Sequence, residues 1–165
     1  HAFLGCRAAL QMRTALAAMN ARWETEGKPR LRARIGLNTG PMVVGNMGAT
    51  GKFAYTVIGD SVNLGSRLEG ITKQYGVGIL ATQPTVDADP LHAFMKVDEV
   101  RVKGKETPVA IYEPLGPKDG LSDSVRQDAA EFEAAFAAYQ KQVWDAAESA
   151  LHALNTRAPR PLYDI

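Results

Sequence analysis

Residues Phe53 to Gly70 read FAYTVIGDSVNLGSRLEG, and the hydrophobic period changes inside this stretch. Up to Ile58, the residues Phe53, Tyr55 and Val57 alternate with Ala54, Thr56 and Ile58, the period of a pleated strand. Gly59 breaks the alternation. Asp60 behind it suits either the N-cap or the first turn of a helix, where an acid meets the positive end of the helix dipole. From Ser61 to Tyr75 the period becomes helical: Leu64, Leu68, Ile71 and Tyr75 recur at three and four residues and predict one buried stripe. Asn63 and Arg67 stand four apart and share a different face. An Asn and an Arg near the start of a helix, just after a glycine turn, can meet an anionic ligand. A solvated polar face is the plainer reading of the same spacing.

Upstream, His1 to about Glu26 reads as a helix. Ala9, Met12, Leu16, Met19 and Trp23 form an apolar stripe at helical spacing and are expected in the core, with Cys6 packed at its edge. Gly27 to Pro29 end it. Leu31 to Asn38 alternate as a strand with one wet face. Thr39-Gly40-Pro41 turn the chain, and Met42 to Val44 are expected as a buried strand. The run GNMGATGK, Gly45 to Lys52, invites comparison with a phosphate-binding loop. It lacks the first glycine, where Asn46 stands, and Lys52 is followed by Phe53 rather than Ser or Thr. A glycine-rich hairpin tip is the better reading.

Downstream, Gly76 ends the central helix and Val77 to Ala81 form a short strand. Thr82 caps one or two helical turns that carry Pro84 early. His92 is expected on the surface, with no second His or carboxylate cluster at metal-ligand spacing. Phe94 to Val102 and Val109 to Tyr112 form a hairpin around KGKETP, in which Lys103 and Lys105 flank Gly104. Pro114, Gly116, Pro117 and Gly120 mark a linker. Beyond it, Val125, Phe132, Phe136 and Tyr139 mark one amphipathic helix, and Trp144, Ala147, Leu151 and Leu154 a second.

At 165 residues the chain has the size of one domain with an appendage. A net charge of +1 argues against a nucleic-acid partner held by bulk charge. A single cysteine excludes an internal disulfide and fits a reducing compartment. No run approaches the roughly 20 apolar residues of a membrane span.

The string TVIGDSVNLGSRLEG resembles the substrate-binding segment of class III adenylate/guanylate cyclase catalytic domains. RIGLNTGPMVVGNMG before it, and ITKQYG and VRVKGKETPVAIYEPLG after it, resemble the same family in the same order. The resemblance covers about Cys6 to Gly116. It implies an α+β fold, part of a ferredoxin-like cyclase domain with helices on a mainly antiparallel sheet. The expected organisation is residues 1–116 as the C-terminal portion of that domain, 117–123 as linker, and 124–165 as a helical hairpin resembling one tetratricopeptide unit.

The resemblance also implies a chemistry: conversion of ATP to 3′,5′-cyclic AMP and pyrophosphate. Arg67 would neutralise charge growing on the phosphoryl group, and Asn63 would orient the ribose. Lys103 would bind the terminal phosphates, and Thr56 would touch the purine edge, a hydroxyl there favouring ATP over GTP. Family members hold two Mg²⁺ or Mn²⁺ ions on two aspartates in the first half of the domain. Asp60, Asp87, Asp89 and Asp98 do not match those positions, so no metal ligand is assigned here and the piece alone is expected to be inactive. A homodimer through the cyclase portion is implied, with the glycine-rich hairpin helping the two halves meet. The module is expected to be cytoplasmic, with a membrane tether of the parent protein left open. The helical extension offers a place for a protein partner. The competing reading is a non-catalytic dimerisation or interaction module derived from a cyclase domain.

Overall fold

The protein is described by a computed structural model that covers residues 1–49, 52–102, 104 and 106–164. The elements are α1 (Ala2–Thr25), β1 (Ile35–Leu37), β2 (Val43–Ala49), β3 (Lys52–Ile58), α2 (Asp60–Ile71), β4 (Ile79–Thr82), α3 (Gln83–Asp87), β5 (His92–Val100), β6 (Val109–Pro117), α4 (Asp123–Gln140) and α5 (Trp144–Arg157). Short 3₁₀ turns lie at Lys118–Gly120 and Pro161–Asp164. The α+β architecture expected from the sequence is the one observed.

Four strands form one sheet in the order β1-β4-β6-β5. β1 and β4 run parallel, Ile35 opposite Ile79, and the other pairs are antiparallel. A parallel pair needs a long crossover, and here it is the hairpin β2–β3 followed by α2. That hairpin is a separate two-stranded sheet, with Val43 opposite Ile58 and Gly45 opposite Thr56. Residues 45–49 and Lys52 of GNMGATGK therefore lie on two paired antiparallel strands, without the strand-to-helix passage a phosphate loop needs, and Thr50 and Gly51 lie outside the described residues.

α2 lies close on β1 because Gly36 has no side chain. A Cβ there would come within 2.2 Å of the Gly65 carbonyl oxygen and 2.7 Å of the Glu69 nitrogen. Leu64 and Leu68 of α2 are buried as their spacing predicts, and Tyr75 follows them into the core. The core joins Leu68, Tyr75 and Val77 to Leu80 of β4, Met95 and Val97 of β5, Ile111 of β6, Phe132 of α4, Leu154 of α5, and Leu162 and Tyr163. The C-terminal helices thus share one hydrophobic cluster with the sheet. α4 and α5 are antiparallel neighbours, since Arg157 at the end of α5 bridges Asp128 and Glu131 in the first half of α4. Ser122 caps α4 by accepting the Val125 N–H. Phe132 is buried, Phe136 and Leu151 are half-buried, and Trp144 is exposed, edge-on to Tyr139 at 5.3 Å.

Four expectations are corrected. The α1 stripe is not core along its length: Ala2, Cys6 and Ala9 are buried, whereas Met12 is 54% exposed. Further along the stripe, Leu16, Met19 and Trp23 are half-buried. The strand expected over Leu31–Asn38 shrinks to Ile35–Leu37, the length over which β4 runs beside it. The residues before it are tied instead to α1, where the Asn20 side chain donates to the Leu31 carbonyl at 2.8 Å and accepts its N–H at 2.9 Å. Met42, Val43 and Val44 are exposed rather than buried, because no described layer packs on the hairpin. Phe53 and Tyr55 on the paired strand are 69% and 77% exposed.

His92 is the fourth. It is not a surface residue but 2% exposed at the start of β5. Asp89 explains this. Its carboxylate takes the His92 ring Nδ1–H at 2.7 Å and the backbone N–H groups of Leu91 and His92. The Cys6 thiol donates to the same carboxylate, and Phe3 stacks on the His92 ring at 5.2 Å. The start of α1 is thereby locked to the loop before β5.

Candidate functional site

β3 leads through Gly59 directly into α2, so Thr56, Asn63 and Arg67 come from one continuous strand–turn–helix. Gly59 is the residue before the first helical turn, and its carbonyl accepts the N–H groups of Val62 and Asn63, both at 3.1 Å. Asp60 occupies the first turn, where its charge suits the dipole. Of the two positions the sequence allowed for Asp60, the first-turn position is the one found.

α2 presents three sectors, which follow from about 3.6 residues per turn. Leu64 and Leu68 face the core. Gly65, Ser66 and Glu69, with Ser61 and Val62, face β1 across an open cleft of about 560 Å³ that also touches Ile35, Gly36 and Asn38. Asn63 and Arg67 occupy the third sector, away from both. Asn63 is exposed and Arg67 half-buried. The Arg67 guanidinium lies against Gly104, its nitrogens 3.5 and 3.9 Å from where a Cβ on that glycine would stand. Gly104 has φ +81°, the left-handed region that favours glycine. The β5–β6 connection is therefore brought onto the Asn63/Arg67 face from more than thirty residues downstream. Lys103 itself lies outside the described residues. Thr56 is exposed on β3, on the hairpin that leads into α2.

The start of α2 is held by Asn38, whose Nδ2 donates to the Ser61 carbonyl at 2.8 Å. The Thr82 hydroxyl donates in turn to the Asn38 carbonyl oxygen. One side chain thus ties β4, the end of β1 and the first turn of α2 together. Gly40 allows this contact, since a Cβ on it would sit 2.2 Å from the Ser61 hydroxyl. The alternation of the 31–38 segment did not single out Asn38; the signal available was an Asn between two glycines in GLNTG, a polar residue on a segment expected to pack.

Among the described residues no three His, Cys, Asp or Glu side chains come together as a metal-holding group. The donors among the described residues do not fit a divalent-cation site. Among the described residues, no helix is long and apolar enough to cross a membrane.

Similarity to known proteins agrees with this geometry. The family described as adenylate and guanylate cyclase catalytic domain matches residues 1–113. Adenylate cyclase 1 of Rhizobium meliloti (strain 1021) is 39% identical over 117 residues, covering 70% of this chain and 18% of that protein. The adenylate cyclase of Anabaena cylindrica is 43% identical over 91 residues, covering 53% of this chain and 18% of that protein. The chain therefore spans less than a fifth of these relatives. Among solved structures, the adenylyl cyclase CyaB from P. aeruginosa superposes with a TM-score of 0.60 at 32% identity, over 68% of this chain and 58% of that one. The guanylyl cyclase Cya2 superposes with a TM-score of 0.61 at 31% identity, over 73% and 61%.

Proposed function

Since this chain belongs to the adenylate and guanylate cyclase catalytic domain family, we propose that it is the substrate-binding portion of an adenylate cyclase that converts ATP to 3′,5′-cyclic AMP and pyrophosphate. The observation that carries the reading is the meeting of the Asn63/Arg67 face of α2 with the β5–β6 connection at Gly104.

In that reaction the ribose 3′-oxygen attacks the α-phosphorus and pyrophosphate leaves. Charge grows on the equatorial phosphoryl oxygens and on the leaving group, so catalysis rests on positioning and electrostatics. Arg67 is the catalytic cation of this proposal. Its planar guanidinium suits two phosphoryl oxygens at once. Packing against Gly104 limits its freedom, so little ordering is left to do as charge develops. Asn63, one turn earlier on the same face, hydrogen-bonds the ribose and orients the attacking oxygen. Lys103 is assigned the terminal phosphates on the strength of the motif alone. Thr56 reads the purine edge, and its hydroxyl, which both donates and accepts, favours adenine. Mg²⁺ or Mn²⁺ belongs to the proposed complete enzyme, with ligands outside this chain.

The exposed apolar hairpin β2–β3 supports a homodimer as the working form. The outward side of α4–α5, with Tyr139 and Trp144, is the proposed place for a protein partner. Equal structural likeness to a guanylyl and an adenylyl cyclase leaves Thr56 as the argument for ATP.

The test is Arg67→Ala in the full-length protein. Turnover is expected to fall by about a thousandfold while ATP binding changes by only a few fold, because the charge that Arg67 meets exists mainly in the transition state. Equal losses in both would reduce Arg67 to a binding residue. Full-length protein that forms no cyclic nucleotide from ATP or GTP would instead favour the non-catalytic module.

A further inference from the structure

Gly76, which ends the turn after α2, has φ +62°, and a Cβ on it would stand 2.3 Å from the Pro161 Cβ. Pro161 therefore sits directly on the turn that follows the central helix. The next two residues, Leu162 and Tyr163, are 1% and 5% exposed and belong to the cluster that holds Leu68, Tyr75 and Val77.

The turn that places them is itself fastened on several sides. The Arg160 guanidinium pairs with Glu113 of β6, and Arg13 of α1 reaches the other oxygen of the same carboxylate at 3.5 Å. The Arg160 N–H is accepted by the Asn155 side chain at 3.1 Å, close to the end of α5. Tyr163 packs on Phe132 of α4 at 5.7 Å between ring centres and lies under the Arg160 guanidinium. Arg160 remains charged in this half-buried position: burial opposes its charge, and Glu113 outweighs it and raises the guanidinium's affinity for its proton.

α2 is thus held on both sides. Asn38 holds its first turn, and the segment Arg160–Tyr163 packs on the turn that follows it, at Gly76, and joins the cluster that contains Leu68. Asn63 and Arg67 lie between the two grips. We propose that the C-terminal segment Arg160–Tyr163 is a positioning clamp on α2, through which the helical pair α4–α5 sets how Asn63 and Arg67 are presented. The catalytic consequence rests on the cyclase reading above; the mechanical part does not. None of the clamp residues touches substrate. They act through Gly76, Tyr75 and Leu68, and a shift of about 1 Å in a positioned group is enough to cost a large factor in rate.

Two measurements test this. The first is hydrogen–deuterium exchange on the 165-residue chain, comparing the parent sequence with Leu162→Ala and Arg160→Gln. Faster exchange is expected from residue 68 to 77, with the amides of β5 and β6 changed by less than a few fold. Exchange that is unchanged in α2, or that rises equally everywhere, overturns the clamp. Leu162→Ala removes a fully buried side chain and can unfold the protein outright; Arg160→Gln removes the ion pair and the charge over the Tyr163 ring without opening a cavity in the core, and keeps the test decisive.

The second is turnover of the full-length protein carrying the same substitutions. Turnover is expected to drop about tenfold with the ATP KM within about twofold. Leu162→Met, which refills the space, is expected to restore most of it. Equal changes in turnover and KM, or no rescue by Met, would leave the segment a general stabiliser and sink the positioning role. A parent protein without cyclase activity leaves the exchange measurement to decide the clamp by itself.

Discussion

Asp89, His92 and Cys6 show how much a single buried carboxylate organises. Burial pushes the Asp89 carboxyl up, but the His92 ring, the Cys6 thiol and two backbone N–H groups outweigh it and hold it below the ordinary carboxylate range. A carboxylate whose affinity for protons is lower in the folded state contributes stability that is present above its unfolded pKa of about 4 and is lost as pH falls through the lowered folded value. Acid unfolding of the chain is therefore expected to steepen below about pH 4. Asp89→Asn should cost about 2 kcal/mol near neutrality, the loss of hydrogen bonds to a charged group, and make the acid limb shallower; an unchanged limb would remove Asp89 from the acid response. The Cys6 thiol is pushed up to about 12, first by burial and then by the hydrogen bond to Asp89 and that group's charge. Since the thiolate is the reactive form, Cys6 is expected to resist alkylation near neutral pH in the native protein and to react only on unfolding. At the proposed site, Thr56→Ala in the full-length enzyme should shift the ratio of catalytic efficiencies for ATP and GTP by about tenfold, the equivalent of one hydrogen bond. An unchanged ratio takes Thr56 out of base recognition.

At the scale of elements, what could be read from the sequence was whatever depends on neighbours in the chain. The switch from alternation to helical spacing at Gly59 marked β3 and α2, and Leu64 and Leu68 are buried as their spacing requires. What could not be read depends on which faces acquire partners. Met42–Val44 and the Met12 turn of α1 have the same apolar character as the true core, yet no described element covers them. His92 gave the opposite error, because its burial follows from a turn that aims Asp89 at it, and a local pattern does not encode that aim. The candidate site divides the same way. Asn63 and Arg67 were legible as a shared helical face, whereas the approach of Gly104 to Arg67 and the bridge made by Asn38 are long-range. One close long-range contact is Gly36 against α2. Gly36→Ala is expected to force α2 outward and to cost about 3 kcal/mol as an overpacking change, read from the denaturant midpoint. A cost near zero would mean that α2 can slide on β1 without penalty.

For the whole molecule, the distribution of apolar surface predicts association. Phe53, Tyr55, Val57 and Ile58 on β3 and Val43 and Val44 on β2 are exposed together on one hairpin, and no described strand pairs with the outer edge of β1. Unpaired strand edges invite a further strand, and each square ångström of apolar surface removed from water is worth about 25 cal/mol. The 165-residue chain is therefore expected to form dimers or larger species in light scattering over a concentration series. A monomer that melts sharply at every concentration would show that these surfaces are tolerated. The same polypeptide, incubated with ATP and Mn²⁺, is expected to release no cyclic product above a buffer blank. Product formation abolished by Arg67→Ala would show that its own residues suffice.

The grip of Pro161 on Gly76 also sets an order of events during synthesis. Gly76 leaves the ribosome eighty-five positions before Pro161, which packs on it. Until then β5 and β6 can pair as a local hairpin, but Leu68 and Tyr75 lack Leu162 and Tyr163. Contacts of such long sequence separation form late and slowly, and a nascent chain in that interval exposes the surface by which partly folded proteins aggregate. A ribosome stalled before residue 160 would thus hold a chain whose secondary structure is largely in place and whose central helix is not yet fixed.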